Sequence, residues 1–272
     1  MLLVLVVMVV GAPCLGTISP QAMDPASANL AIGTHASFND LSGDSFEHFF
    51  VLGTDAMGRD LWSRMLYGGR ISLTVGVVVA VLSLLFGTLV GLVSGYFRRF
   101  DALVMRCMDG LMAIPAMIFA ICLVAIFGAR LSTLLVAITI PEIPRVARLV
   151  RSVVLGVREE AYVEAAIALA TPTLKILWRH ILPNAIAPLI IQGTYICAAA
   201  ILIESSLSFL GLGLSAEQAT WGSIMAEGRS QFNQYPGVVL LPGVMLALTV
   251  LSVNMLGDGL RDRLDPKFNK RT

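Results

Sequence analysis

The 272-residue chain is 57% hydrophobic and 14% charged, with a formal net charge of +1. Soluble domains carry about 25% charged residues, so this composition excludes an ordinary water-soluble globule. The near-neutral total gives no basic excess for binding nucleic acid. The apolar residues fall in uninterrupted runs, the form expected when lipid is the solvent.

In chain order, Met1 to Ile18 is hydrophobic, short and without a leading Lys or Arg. It is read as a first transmembrane span over residues 1–19, with a signal peptide as the rival reading. Residues 20–71 form a polar segment. Uncharged runs follow at Ser72–Gly95, Gly110–Ala129, Ala185–Ile203 and Val238–Gly257, each near the roughly 20 residues needed to cross the hydrocarbon. Leu131–Val150 is counted as a further span, although Glu142, Pro144, Arg145 and Arg148 crowd its second half. The expectation is an all-α, polytopic six-helix bundle with a five-span core over 72–258 and a tail at 259–272. Cys14, Cys107, Cys122 and Cys197 lack the spacing of a metal or redox motif, and no metal site is expected.

An even number of spans puts both termini on one side. Segments 97–107, 151–183 and 258–272, which share that side, hold Arg98, Arg99, Arg106, Arg151, Arg158, Lys175, Arg179, Arg261, Arg263, Lys267, Lys270 and Arg271. The opposing segment 20–71 is acidic, with Asp24, Asp40, Asp44, Glu47, Asp55 and Asp60. Lys and Arg favour the cytoplasmic side, so both ends are expected in the cytoplasm and 20–71 outside it. Gly87, Gly91 and Gly95 recur at four-residue spacing, which presents one smooth face for helix packing.

The cytoplasmic loop 151–183 reads as two short helices separated by Thr171-Pro172. Glu159 and Glu160 suit a helix N-terminus. Tyr162, Ala165, Ala166 and Leu169 form one apolar stripe, and Leu174, Leu177, Trp178 and Ile181 form another. Periodicity leaves two readings open: an amphipathic hairpin on the lipid surface, or a helix pair presented to a cytoplasmic partner. The small residues around Glu164 favour close docking over deep lipid insertion.

Glu164-Ala165-Ala166, with a small residue at Ala170 and then Leu182-Pro183, resembles the signature loop of ABC importer permeases. Further blocks follow in that family's order: "LGTDAMGRDLWSRMLYGGRISL", "ARLVRSVVL", "SFLGLGL", "WGSIMAEGR" and "NMLGDGLRDRLDP". Together they resemble the second, C-type permease of the dipeptide/oligopeptide/nickel importers. Three departures are visible: Ala170 replaces the usual glycine, His180 replaces the usual isoleucine, and "SAEQAT" lacks the usual prolines.

The resemblance implies a non-catalytic subunit of the bacterial cytoplasmic (inner) membrane that pairs with a second, homologous permease. One or two kinds of ATP-binding subunit would dock on the loop, and an extracytoplasmic solute-binding protein would deliver a small peptide. The chain has no GxxxxGK[ST] phosphate loop; no cofactor is expected in it, and ATP and Mg belong to the partner ATPases. Tyr162, Glu164, Ala165, Ala166, Leu169, Ala170 and Pro183 are the candidate coupling residues.

Glu204 and Glu142 are candidates for the translocation path, since ionisable groups within spans mark such paths. For Glu142, pairing with Arg145 is the plainer account. Asp55–Arg59 and Asp60–Arg64 are i,i+4 pairs if helical, worth a few tenths of a kcal/mol when exposed; they are expected to brace the approach to the second span. Arg148 and Arg151 steady the loop or meet headgroups, while Asp258, Arg261 and Asp262 cap the last span. Nickel or glutathione import in the same family, or an ion-coupled secondary carrier, are the alternatives.

Overall fold

The computed structural model describes residues 1–41, 43, 45–214 and 218–264. Asp44, Asp265, Lys267, Lys270, Arg271 and part of the "SAEQAT" loop lie outside the described residues.

The long elements form where apolar, helix-compatible runs are free of breakers. α2 covers Leu61–Tyr96, α5 Leu131–Arg158, α8 Leu182–Phe209 and α10 Gly237–Leu264. α2 therefore begins a full three turns before the uncharged run at Ser72. Among the described residues three helices, in α2, α8 and α10, are long and apolar enough to cross a membrane. A bent pair counts as a fourth. The expected sixfold count thus also draws on α1 and α5. α1 covers only Leu2–Val10, about 14 Å at 1.5 Å per residue, and α5 carries Glu142, Arg145, Arg148 and Arg151 within its length.

The bent pair corrects one expected span. The run Gly110–Ala129 is divided between α3, Arg98–Ala113, and α4, Ala116–Phe127, which meet at 84°. The cause is local: Pro115 disfavours helical backbone at the preceding residue, and Ile114 is extended, with φ −92° and ψ 124°.

The described residues divide into two compact units. The first consists of Met1–Val75, Val124–Leu134 and Ile201–Ser252. It contains strands unforeseen in the sequence: β1, Thr34–Asn39, pairs antiparallel with β2, Ser45–Phe50. Phe38 and Phe50 are fully buried beneath this hairpin. Asp24 ties down its turn end, accepting from the Ser27 hydroxyl at 2.7 Å and from the amide of Asn39, the last residue of β1, at 3.1 Å. These donors hold the Asp24 carboxyl below its ordinary range, the Ser27 hydroxyl most of all. Leu61, Met65, Ala219, Ile224 and Val238 form the apolar core. The short helix α9, Trp221–Gly228, is capped by Thr220, and Trp221 donates to the Met65 carbonyl at 3.0 Å.

The second unit comprises Gly76–Leu123, Leu135–Ala200 and the described part of Val253–Thr272. Here the three glycines of α2 lie against α5. A Cβ on Gly87 would come within 2.4 Å of Val146 Cβ. On Gly91 and Gly95 it would come within 2.7 Å of Val150 Cβ and Val154 Cβ. The backbones can approach this closely only because those positions carry no side chain.

Candidate functional site

The loop between α5 and α8 turns part of its apolar surface inward. α5 continues to Arg158, and α6 follows at Ala161–Ala168 after a two-residue turn. Val163, Ala166, Ile176, Leu177 and Ile181 are buried. Of the expected first stripe, Ala166 therefore faces inward, whereas Tyr162, Ala165 and Leu169 are exposed. The second stripe divides in the same way, with Leu177 and Ile181 inside and Leu174 and Trp178 outside. Leu169 is 82% exposed, Leu174 67% and Trp178 57%. Glu164 is exposed as well.

Ala170 ends α6 in the left-handed conformation, with φ +55°. Its N–H donates to the Ile167 carbonyl at 2.9 Å, and the Thr171 N–H to the Ala166 carbonyl at 3.1 Å. These are the two bonds of a Schellman C-cap, in which glycine is the usual occupant. Alanine here bears a steric cost of about 1–2 kcal/mol.

The second loop helix does not stop before α8. α7, Thr173–Ile176, passes through a π-turn at Leu177–Ile181 into Leu182, giving one helical stretch from Thr173 to Phe209. Pro183, exposed in the first turn of α8, has no N–H to bond backward. The π-turn just before it is a single wide turn within the helix, the form in which this rare geometry mostly occurs. Asn184 steadies the junction, donating to the His180 carbonyl at 2.7 Å and to the Tyr162 hydroxyl at 3.2 Å.

The acidic and basic residues before α2 form a buried cluster rather than two exposed helical pairs. Asp55–Arg59 is present, with Nε to Oδ2 at 2.8 Å, but it closes a turn. Asp60 does not pair with Arg64. It caps α2 instead, accepting from the Ser63 amide at 2.9 Å and from the Ser63 hydroxyl. Burial pushes the Asp60 carboxyl above its ordinary range. Arg64 reaches Asp55 at 3.4 Å and Glu227 Oε2 at 2.8 Å, and Arg59 reaches the same Oε2 at 2.5 Å. Two guanidinium groups are thus matched by two carboxylates. Sequence spacing pointed to neither Glu227 nor this closure, because Glu227 is remote in the chain. A cavity of about 310 Å³ borders the cluster, lined by Met23, Met57, Arg59, Arg64 and Glu227 among others.

Neither membrane carboxylate faces an opening in this conformation. Glu204 is fully buried and accepts from the Ser208 hydroxyl at 2.8 Å and the Ser72 hydroxyl at 2.9 Å. Glu142 is 1% exposed and accepts from Arg145 Nη1 at 3.2 Å. Arg148 pairs with Asp109 at 2.6 Å, and Arg151 grips Asp101 through two bonds of 2.5 and 2.6 Å. Both arginines thus meet aspartates on α3. Asp258 accepts from the Tyr195 hydroxyl at 2.6 Å. Arg261 and Asp262 are exposed near the end of α10. No group of three or more His, Cys, Asp or Glu suited to a metal occurs among the described residues.

The family model for the inner membrane component of binding-protein-dependent transport systems matches residues 83–270. A putative peptide transport system permease protein of Brucella suis is 48% identical over 222 residues, covering 82% of this chain and 74% of its own length. The dipeptide transport system permease protein of Alkalihalophilus pseudofirmus is 45% identical over 231 residues, 85% of this chain and 75% of that one. A glutathione transport system permease protein of Pectobacterium atrosepticum is 40% identical over 227 residues, 83% and 75% of the two chains. Among solved structures, an inward-facing MetNI methionine ABC transporter chain aligns with a TM-score of 0.60. It is 17% identical and covers 74% of this chain and 96% of its own, a likeness of fold alone. With the apolar helices and the ordered blocks already described, these matches make the chain a member of the family of inner-membrane components of binding-protein-dependent transport systems.

Proposed function

We propose that this chain is the C-type permease subunit of an ATP-driven importer of dipeptides or oligopeptides. In this reading it is a non-catalytic subunit of the cytoplasmic membrane. The loop between α5 and α8 and both termini lie in the cytoplasm, and residues 20–71 lie outside. A second, homologous permease completes the translocation path. An extracytoplasmic binding protein delivers the peptide, and separate subunits bind ATP and Mg.

The observation that carries the proposal is the exposed face of the loop. Tyr162, Glu164, Leu169, Leu174 and Trp178 are all exposed, on the segment whose sequence resembles the family's coupling loop. Ala165 and Ala170 on that face let a partner approach closely. Glu164 supplies the charge that an ATPase cation would meet. The similarity to peptide and dipeptide transport permeases supports peptide as the solute class.

The test is purification of the complex and uptake in proteoliposomes. Glu164→Arg is expected to leave membrane insertion intact while weakening ATPase association and transport. Uptake that follows a proton gradient without ATP, in a complex lacking an ATPase, would overturn the proposal in favour of an ion-coupled carrier. Competition between dipeptides and glutathione for the partner binding protein decides the solute.

A further inference from the structure

The second unit contains a connection that docking of the loop alone does not explain. α3 has no fully buried residue, and its apolar Val104, Met105, Met108 and Leu111 are half-buried. Two ionic bonds tie it to α5, Asp101 to Arg151 and Asp109 to Arg148. The first is a two-pronged bond of 2.5 and 2.6 Å, and its side chains are 33% and 24% exposed. The second is single, with side chains 47% and 59% exposed, and so more weakened by water. A guanidinium gripping both carboxylate oxygens fixes orientation as well as distance.

α5 is a suitable carrier of movement. Its valines at 146, 150 and 154 are seated on the glycines of α2, which leaves no room for lateral slip. Its last turn passes directly into α6. The Glu159 and Glu160 amides bond back to Gly156 and Val157, and the Val163 and Glu164 amides bond to the Glu160 carbonyl. Downstream of α3 the extended residue Ile114 leads into the 84° bend at Pro115 and then into α4. This break in the helical hydrogen bonding lets α3 pivot without unwinding α4.

We propose that the Asp101–Arg151 pair is the link through which displacement of α6 reaches the bent α3–α4 pair. Asp101 and Arg151 are then positioning residues for the transport cycle. This inference rests on the coupling role proposed for the loop. The pair lies outside the exposed loop residues, and in this proposal it acts downstream of ATPase engagement.

The experiment uses the complete transporter, reconstituted with its partner subunits, and measures solute taken up per ATP hydrolysed. Asp101→Asn and Arg151→Gln are expected to keep hydrolysis within about twofold while uptake per ATP falls about fivefold or more, the low end of ordinary coupling between sites. The exchanged variant, Asp101→Arg with Arg151→Asp, is expected to regain most of the lost uptake. Unchanged uptake per ATP in both single variants, in assembled complexes, overturns the link. Failure of the assembled exchanged variant to recover overturns it as well. Should a single variant fail to assemble, Arg151→Lys keeps the charge but loses the fork. Its uptake per ATP is then expected to fall, and an unchanged ratio counts against the link. A wild-type complex that shows no ATP-driven uptake instead removes the functional reading beneath it, an outcome visible before any variant is made.

Discussion

Arg64, on the second helix, donates through Nη2 to Glu227 Oε2 at 2.8 Å across 163 positions of sequence. Arg64 is 1% exposed, so its charge has no water to fall back on. Breaking a buried pair by removing one partner costs about 3–5 kcal/mol. Glu227 is a quarter exposed, which places Glu227→Gln nearer 2–3 kcal/mol on the same scale. Thermal unfolding of the purified complex, followed by the fluorescence of the buried Trp221, is the measurement. A transition unchanged from wild type would show that the cluster contributes nothing net.

Replacing Ala170 with glycine should stabilise the loop. The positive φ there costs alanine about 1–2 kcal/mol, and glycine's greater freedom in the unfolded chain returns about half of that. A net gain of about 0.5–1 kcal/mol is expected, with transport preserved, because the Schellman bonds are made by the backbone. Hydrogen exchange of the Ala170 and Thr171 amides should slow in Ala170→Gly. Faster exchange would contradict the left-handed cap.

The glycine face of α2 makes a sharper demand. Gly91→Val adds a branched side chain where a Cβ alone lies 2.7 Å from the Ala147 carbonyl and from Val150 Cβ. Overpacking of this kind typically costs about 1–3 kcal/mol. Gly110, whose added Cβ meets nothing within 4 Å, serves as the control. Equal expression and thermal stability of Gly91→Val and Gly110→Val would sink the close-packing account.

The turn end of the hairpin should be acid-sensitive. The Asp24 carboxyl is held below its ordinary value of 3.8, so its ionised form favours the folded state. That stabilisation is complete above 3.8 and is lost as pH falls through the lower folded value. Buried Asp60 has the opposite sign, because its raised value favours the fold at low pH and loses that advantage as pH rises. Proteolysis of residues 20–50 is expected to accelerate below about pH 4 in wild type and to lose most of that dependence in Asp24→Asn. An identical pH profile in the two proteins would remove Asp24 from the account.

The membrane elements were readable because lipid imposes a one-dimensional rule: the runs at Ser72–Gly95 and Val238–Gly257 lie within α2 and α10. The Pro115 break escaped because it adds no charge to an apolar run. Proline's effect on Ile114 was the available signal. The hairpin escaped for another reason, since Phe46 and Phe49 alternate with Glu47 and His48 too irregularly to announce a strand. Glu142 with Arg145 was legible as a local pair. Arg64 with Glu227 was not, because nothing in spacing brings α2 to α9. The loop's two stripes were visible, but not which members turn inward: Ala165 and Ala166 are chemically alike, and only packing separates them.

The π-turn at Leu177–Ile181 has a consequence of phase. One residue more per turn than an α-helix sets everything downstream about 100° around the axis from where an unbroken α-helix would carry it. The faces of α7 and α8 are therefore out of step by design of the backbone, and a one-residue deletion at 177–181 would bring them into step. Deleting Arg179 or His180 would keep every apolar side chain in the stretch and still turn Trp178 and its neighbours toward a different azimuth.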